Sequence, residues 1–188
     1  MGMTCSIMGL TSAQIDGLEA TPAIVSYLTI WDRKVHFDEV IRRLPPEHRQ
    51  RAEEARERIA RLGSFEPPLY LEKWWHSLHY LLTAEIGPVS GAGGLLLTGG
   101  RELGEDMGYG PARLHSPAET KDFSRFLETQ DLANLQARIS LEAMGRLYPA
   151  MSEDLDILRN NVGRYFVDLR DYVHRMSDRG NGLLIWVI

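Results

Sequence analysis

His76 and His79 stand three residues apart, and Glu72 lies one turn before His76. On a helix, side chains three and four positions apart share a face. These three groups could therefore converge on one divalent cation, leaving an open position for the water that a metal-assisted hydrolase needs. The frame differs from known helical zinc sites, in which two histidines lie one full turn apart. Two other roles stay open for the same imidazoles. They could sit at an apolar boundary and donate to a backbone carbonyl, or His79 could be a polar group lining a pocket.

A second set of candidates lies downstream. Glu102, Glu105 and Asp106 form a small acidic cluster flanked by Arg101 and Arg113. With His79 or Tyr109 opposite, they could line a polar cleft, and burial of one carboxyl would suit it to general acid–base work. Acids solvated on a loop are the plainer account. The stretch Gly94-Leu95-Leu96-Leu97-Thr98-Gly99-Gly100-Arg101 opens with the glycine spacing of a phosphate-binding loop. It lacks the Lys-Ser/Thr pair that would reach phosphate and magnesium. No nucleophile stands out. Ser116 is better explained as a helix cap, and Cys5 as a small core residue.

The elements that must position these groups follow from periodicity and punctuation. Residues 3–8 alternate as a strand. Thr11 or Ser12 can cap a short helix through Glu19, and Pro22 can open another over Ala23–Leu28. Glu47–Leu62 reads as a charged helix with Glu47/Arg51, Glu54/Arg58 and Glu57/Arg61 at i,i+4. Its thin apolar stripe is Ala52, Ala55, Ile59 and Leu62, and Gly63 stops it. Pro67-Pro68 then opens a helix over Leu69–Ala84. Leu71, Trp74, Trp75, Leu78, Leu81 and Leu82 fall on one face. Glu72, His76, His79, Tyr80 and Thr83 fall on the other. Residues 87–111 read as a long glycine-rich loop in which only Leu95–Thr98 looks structured, and a loop of that length is usually functional or mobile.

Further on, Ser116-Pro117-Ala118-Glu119 is a capping box. Helices follow to about Glu128 and near Leu132–Ile139. Ser152 is expected to cap the longest helix, which runs to Asp178. Leu183–Ile188 is continuously apolar, as in a strand covered on both faces. The expected architecture is α+β and helix-rich: a small mixed sheet, its N- and C-terminal strands adjacent, packed against several helices in one domain over 1–188.

Composition sets outer limits. The chain has 188 residues, 44% of them hydrophobic and 25% charged, which suffices for a core without disulfides or a structural metal. One cysteine and no signal-like start point to a reducing, cytoplasmic setting. No apolar run is long enough to span a bilayer. The net charge of −5 argues against nucleic acid as the main partner. The basic residues are 18 Arg against 3 Lys, a bias that suggests a GC-rich genome rather than a function.

A family pattern emerges from particular residues. The chain opens Met1-Gly2-Met3 into a strand. It continues with Leu71-Glu72-Lys73-Trp74-Trp75-His76-Ser77-Leu78-His79-Tyr80-Leu81-Leu82-Thr83, then Gly99-Gly100, Leu103-Gly104, Gly108-Tyr109-Gly110-Pro111-Ala112-Arg113 and Tyr148-Pro149. A long helix and a terminal strand close it. In this order and spacing the chain resembles the YfbM-like family, a bacterial domain of unknown function, and matches it least over the charged helix at 47–62. The resemblance implies a single-domain intracellular α+β protein. It carries no established activity and assigns no catalytic residue.

The expectation for function is a binding or interaction protein with an unknown protein or small-molecule partner, without membrane or cofactor. Its cleft lies between helix 69–84 and the loop over 87–113. The candidate ligand-binding residues are Trp75, His76, His79, Thr83, Glu102, Tyr109 and Arg113. The enzyme alternative is a metal-assisted hydrolase built on His76, His79 and a carboxylate. A role in neutralising a toxin is a third, weaker reading.

Overall fold

The computed structural model describes residues 3–31, 37–148 and 154–188. In chain order its elements are β1 (Cys5–Leu10), α1 (Ser12–Ala20), α2 (Val25–Trp31), α3 (Phe37–Arg43), α4 (Pro46–Arg61), β2 (Leu69–Glu72), α5 (Trp75–Thr83), β3 (Arg101–Leu103), β4 (Ala112–His115), α6 (Pro117–Glu128), α7 (Leu132–Ala137), α8 (Leu141–Gly145), α9 (Leu155–Asp178) and β5 (Gly182–Val187), with 3-10 turns at Pro22–Ile24 and Ala92–Gly94. The protein is α+β and helix-rich, as the periodicity indicates.

The five strands form one sheet in the order β2-β1-β5-β4-β3. The chain termini therefore meet at its centre, with Ile7 opposite Ile185 and Leu10 opposite Gly182. Every pairing is antiparallel, so the expected mixed sheet is corrected to an antiparallel one. The helical excursions from β1 to β2 and from β4 to β5 each return the chain to the end of the sheet that it left, so those neighbours run in opposite directions, while the connection through α5 crosses from one edge strand to the other.

Helices cover both faces. Leu183, Ile185 and Val187 of β5 enter one core with Cys5, Ile7, Trp75, Phe123 and Phe166. Leu184 and Trp186 enter the other with Met8, Leu10, Leu18, Ala55 and Ile59. A central strand with a core on each side has no polar face to show, which explains the unbroken apolar run at the C-terminus.

Local chemistry explains most element ends. Thr11 caps α1 in a reciprocal box with Gln14, and Ser116 caps α6 in another with Glu119. Of the three pairs expected on α4, Glu57–Arg61 is present at 3.6 Å, while Glu54 accepts from Gln50 at 3.0 Å. Ser152 lies outside the described residues, and the cap seen on α9 is Asp154, whose carboxylate accepts from the Asp156 N–H.

Three segments differ from expectation. Leu69–Glu72 is not the first turn of a helix but an edge strand on β1, with a register shift at Cys5/Ser6 and Glu72 at φ 50°. Leu71, Trp74 and Trp75 suit a helical face, but Leu71 buried beside exposed Tyr70 is equally the alternation of a strand. The open edge of β1 settles the choice. Leu95–Thr98 forms turns, and the strands of the glycine-rich region are instead β3 and β4. Finally, α8 and its Ser140 cap have no counterpart in the expected elements.

One long-range contact ties the edge together. β2 ends at Leu69 opposite Ile7, so the Gly9 N–H has no ladder partner there; it donates to the Tyr172 hydroxyl on α9 at 2.9 Å. That hydroxyl in turn donates to the Pro67 carbonyl at 3.1 Å. Tyr172→Phe is expected to cost about 1–3 kcal/mol, the penalty for stranding a buried N–H. Urea unfolding of the variant measures it, with an unchanged far-UV spectrum expected.

Candidate functional site

α5 is not amphipathic in the expected sense. Trp75, His76, Ser77, Leu78, His79, Leu81 and Leu82 are all buried, because the loop after it folds back over the side that carries the histidines. Helix geometry then assigns each imidazole a structural partner. His76 Nδ1 accepts the Tyr148 backbone N–H at 3.0 Å, so Nε2 carries the proton and donates to the Ile86 carbonyl at 2.9 Å. His79 Nε2 donates to the Gly87 carbonyl at 2.8 Å, while its Nδ1 is buried without a partner. Burial lowers the His79 pKa, which keeps the ring neutral; the Gly87 bond opposes the shift and His76 adds to it.

This arrangement corrects the metal reading. Both Nε2 atoms are spent on carbonyls, and Glu72 has left the helix for β2. Among the described residues, no group of three His, Cys, Asp or Glu side chains could hold a metal ion.

The acidic cluster disperses as well. Glu102 sits across from Arg113 in the β3–β4 register and meets its guanidinium at 3.5 Å. Asp106 accepts the N–H groups of Gly108 at 2.7 Å and Gly110 at 2.9 Å, so it holds the turn that carries Tyr109. Arg101 pairs with Glu19. Thr83 donates to the His79 carbonyl at 2.8 Å and accepts the Glu85 N–H at 3.1 Å, closing the end of α5.

What the fold brings together is a smaller set. A pocket of about 360 Å³ opens between the start of α5, the glycine-rich loop and the end of β5. Trp75, His76, Tyr109 and Arg113 line it; His79, Thr83 and Glu102 do not. Its remaining walls are Ile86, Gly87, Pro88, Leu96, Leu97, Pro111 and the β5 residues Ile185, Trp186 and Val187. Tyr109 is 52% exposed at the mouth and meets Trp75 edge-on, ring centres 5.9 Å apart. Trp75 also stacks on His76 at 5.0 Å. Its neighbour Trp74 turns away and stacks on Tyr165 of α9 at 5.9 Å. The Leu95-Leu96-Leu97 run within a glycine-rich loop was the available signal for these walls. Nothing in the sequence marks β5 as a contributor.

Two further groups bear on the region. His115 at the end of β4 is fully buried, with neither ring nitrogen hydrogen-bonded. Its pKa is lowered to about 4, chiefly by burial; the Glu119 carboxylate opposes the shift and Arg113 adds to it. Cys5 is buried in β1 and burial raises its thiol pKa, so it is inert core rather than a nucleophile.

Comparison with known proteins adds a family and a fold. The family model described as a domain of unknown function (DUF1877) matches residues 1–186. Among solved structures, the chain is similar to one described as a protein of unknown function, YfbM from Escherichia coli. The two are 17% identical with a TM-score of 0.63, over 98% of this chain and 99% of that one. At that identity the likeness concerns the fold. No curated protein matches the chain. Among the described residues no helix is long and apolar enough to cross a membrane.

Proposed function

The chain belongs to the DUF1877 family, and from that premise we propose that it is a binding protein whose small-molecule ligand enters the pocket between α5, the glycine-rich loop and β5. One observation carries this reading: a concavity of about 360 Å³ with mostly apolar walls and a few polar groups at defined points. That is the usual make-up of ligand sites, whose volumes run from about 300 to 1,000 Å³. A flat protein-docking surface would not need the depth. The tight bonding of His76 supports the same role, since it fixes one wall in advance of any ligand and lowers the cost of binding.

The test is nuclear magnetic resonance of isotopically labelled protein titrated with a chemically diverse set of small fragments. Shifts are expected at the Trp75 indole N–H and at the backbone N–H groups of Leu97, Tyr109 and Val187. Shifts confined to other surfaces, or none with any fragment, would overturn the reading.

A further inference from the structure

We infer that the ligand of this pocket is a small organic carboxylate with a flat or short apolar body, its head held by Arg113 and by the indole N–H of Trp75. This rests on the pocket being a ligand site, and it adds the chemical class.

Among the described residues that line the pocket, Arg113 is the only one whose side chain carries a permanent charge. Both ring nitrogens of His76 are already committed, Nδ1 as acceptor and Nε2 as donor. Among the described residues no acid lines the pocket, although Glu102 meets Arg113 from the neighbouring strand at 3.5 Å and a ligand carboxylate must compete with it. One guanidinium in an apolar concavity selects one negative charge, and its planar fork matches a carboxylate at two points. A phosphate monoester carries about −1.5 to −2 charge and would leave part of it uncompensated among Leu96, Leu97 and Ile185.

Arg113 meets Glu102 at 3.5 Å and the Gly99 carbonyl at 3.5 Å, both at the outer limit of useful contact. A guanidinium has five N–H donors, and these two contacts leave several of them unfilled. Trp75 Nε1 is buried without an acceptor, in a side chain that is 0% exposed. A stranded indole N–H costs about 1–3 kcal/mol, and such groups call for an explanation. A ligand oxygen would supply the missing acceptor, and because the N–H is closed to solvent its entry must displace part of the wall.

The wall carbonyls of Ile86 and Gly87 already take the N–H groups of His76 and His79. Among the side chains of the wall, those with a hydrogen left to donate are the Arg113 guanidinium and the Trp75 indole, beside the Tyr109 hydroxyl at the mouth. A donor-biased pocket fits an acceptor-only head group, which is what a carboxylate is. The modest volume favours a single ring or a short chain.

The test uses calorimetric titration with phenylacetate, indole-3-acetate and hexanoate, each beside its neutral primary amide, and benzyl phosphate as a separate arm. At least one acid is expected to bind about tenfold or more tightly than its amide, about 1.4 kcal/mol, and more tightly than the phosphate. Arg113→Gln should bring acid and amide within about twofold. Trp75→Phe should weaken both while keeping the preference for the acid; its fold is checked by circular dichroism. If that variant does not fold, the Arg113→Gln comparison decides alone. Equal affinity of acids and amides overturns the assignment, as does a preference that survives in Arg113→Gln or tighter binding of the phosphate. Neutral fragments that bind in the pocket while acids do not would overturn the ligand class and leave the binding reading standing. Silence from acids, amides and fragments alike would overturn both.

Discussion

Gly94→Ala is expected to destabilise the protein by about 2–4 kcal/mol, in the range of forced overpacking, and to abolish ligand binding in the pocket. A Cβ at this position would stand 1.8 Å from the Val89 carbonyl oxygen and 2.7 Å from Thr98 Oγ1. Neither neighbour can yield cheaply. The Val89 oxygen is backbone and accepts the Thr98 hydroxyl, while the Gly94 carbonyl accepts the N–H groups of Leu97 and Thr98, each at 2.9 Å. Leu96 and Leu97 lie inside this knot and form one wall of the pocket. The glycine is required for close approach, not for an unusual backbone angle. Gly87→Ala is the control: it also lines the pocket, but a Cβ there meets nothing within 4 Å. It should change stability by no more than about 0.5 kcal/mol. Urea unfolding of both variants, at equal slopes, checks the pair. Similar midpoints for the two would remove the argument.

The second large effect concerns acid. The folded pKa of His115 is about 4, below the ordinary value near 6.5. The unfolded chain therefore takes up the proton first as pH falls. Stability from this group is complete above about pH 6.5, declines as pH drops toward about 4, and is flat below. A shift of that size corresponds to roughly 3 kcal/mol. The cause is burial at the end of β4, where the ring lies against Gly99 and Gly100 and neither nitrogen has a partner. His115→Phe keeps a flat ring and drops both nitrogens. Denaturant unfolding between about pH 4 and 7.5 should show the wild type losing roughly 3 kcal/mol more than the variant. Parallel curves would show that the imidazole does not titrate in this window. Glu119 adds a separate loss at lower pH. Although burial pushes its pKa up, the N–H and hydroxyl of Ser116, the Gly100 N–H and the charge interaction with His115 hold it below the ordinary value. Its contribution is thus present above the unfolded pKa and goes as pH falls through the folded one. His115→Phe also removes that last interaction, which leaves the lower limb shallower as well.

Neither effect is confined to stability. Gly99 and Gly100 precede β3, and His115 follows Arg113 on β4. An acid-loosened His115 would disturb the strand pair that presents the guanidinium to the pocket.

Local signals in the chain were sufficient for much of the fold. The cap at Thr11 or Ser12, the capping box at Ser116, the stop at Gly63 and the long apolar spacing of α9 each act within a few residues, so a linear reading finds them. The same holds for the buried terminal strand and its pairing with β1. A strand apolar at every position must have a core on each side, and that places it inside the sheet. The membership in a family of unknown function was likewise legible in the tryptophan–histidine stretch and the glycine-rich segments.

The candidate site was legible only in part. Trp75, His76, Tyr109 and Arg113 meet in one pocket, whereas His79, Thr83 and Glu102 serve the backbone or a neighbouring strand. Helical spacing says which residues share a face, not whether that face meets water or another loop. It put the histidines on the wet side of α5, and only the return of residues 86–88 decided that they would donate to carbonyls. Leu69–Glu72 was misassigned because a strand residue and the helix after it can present the same apolar spacing; the unpaired edge of β1 broke the tie. The walls given by β5 depend on a strand more than seventy residues away from the loop they face. Residue types and local spacing determined what each segment could form. Long-range pairing and burial decided which side chains kept their polar atoms for a ligand, because those atoms are spent wherever the folded chain brings a carbonyl or an N–H within reach.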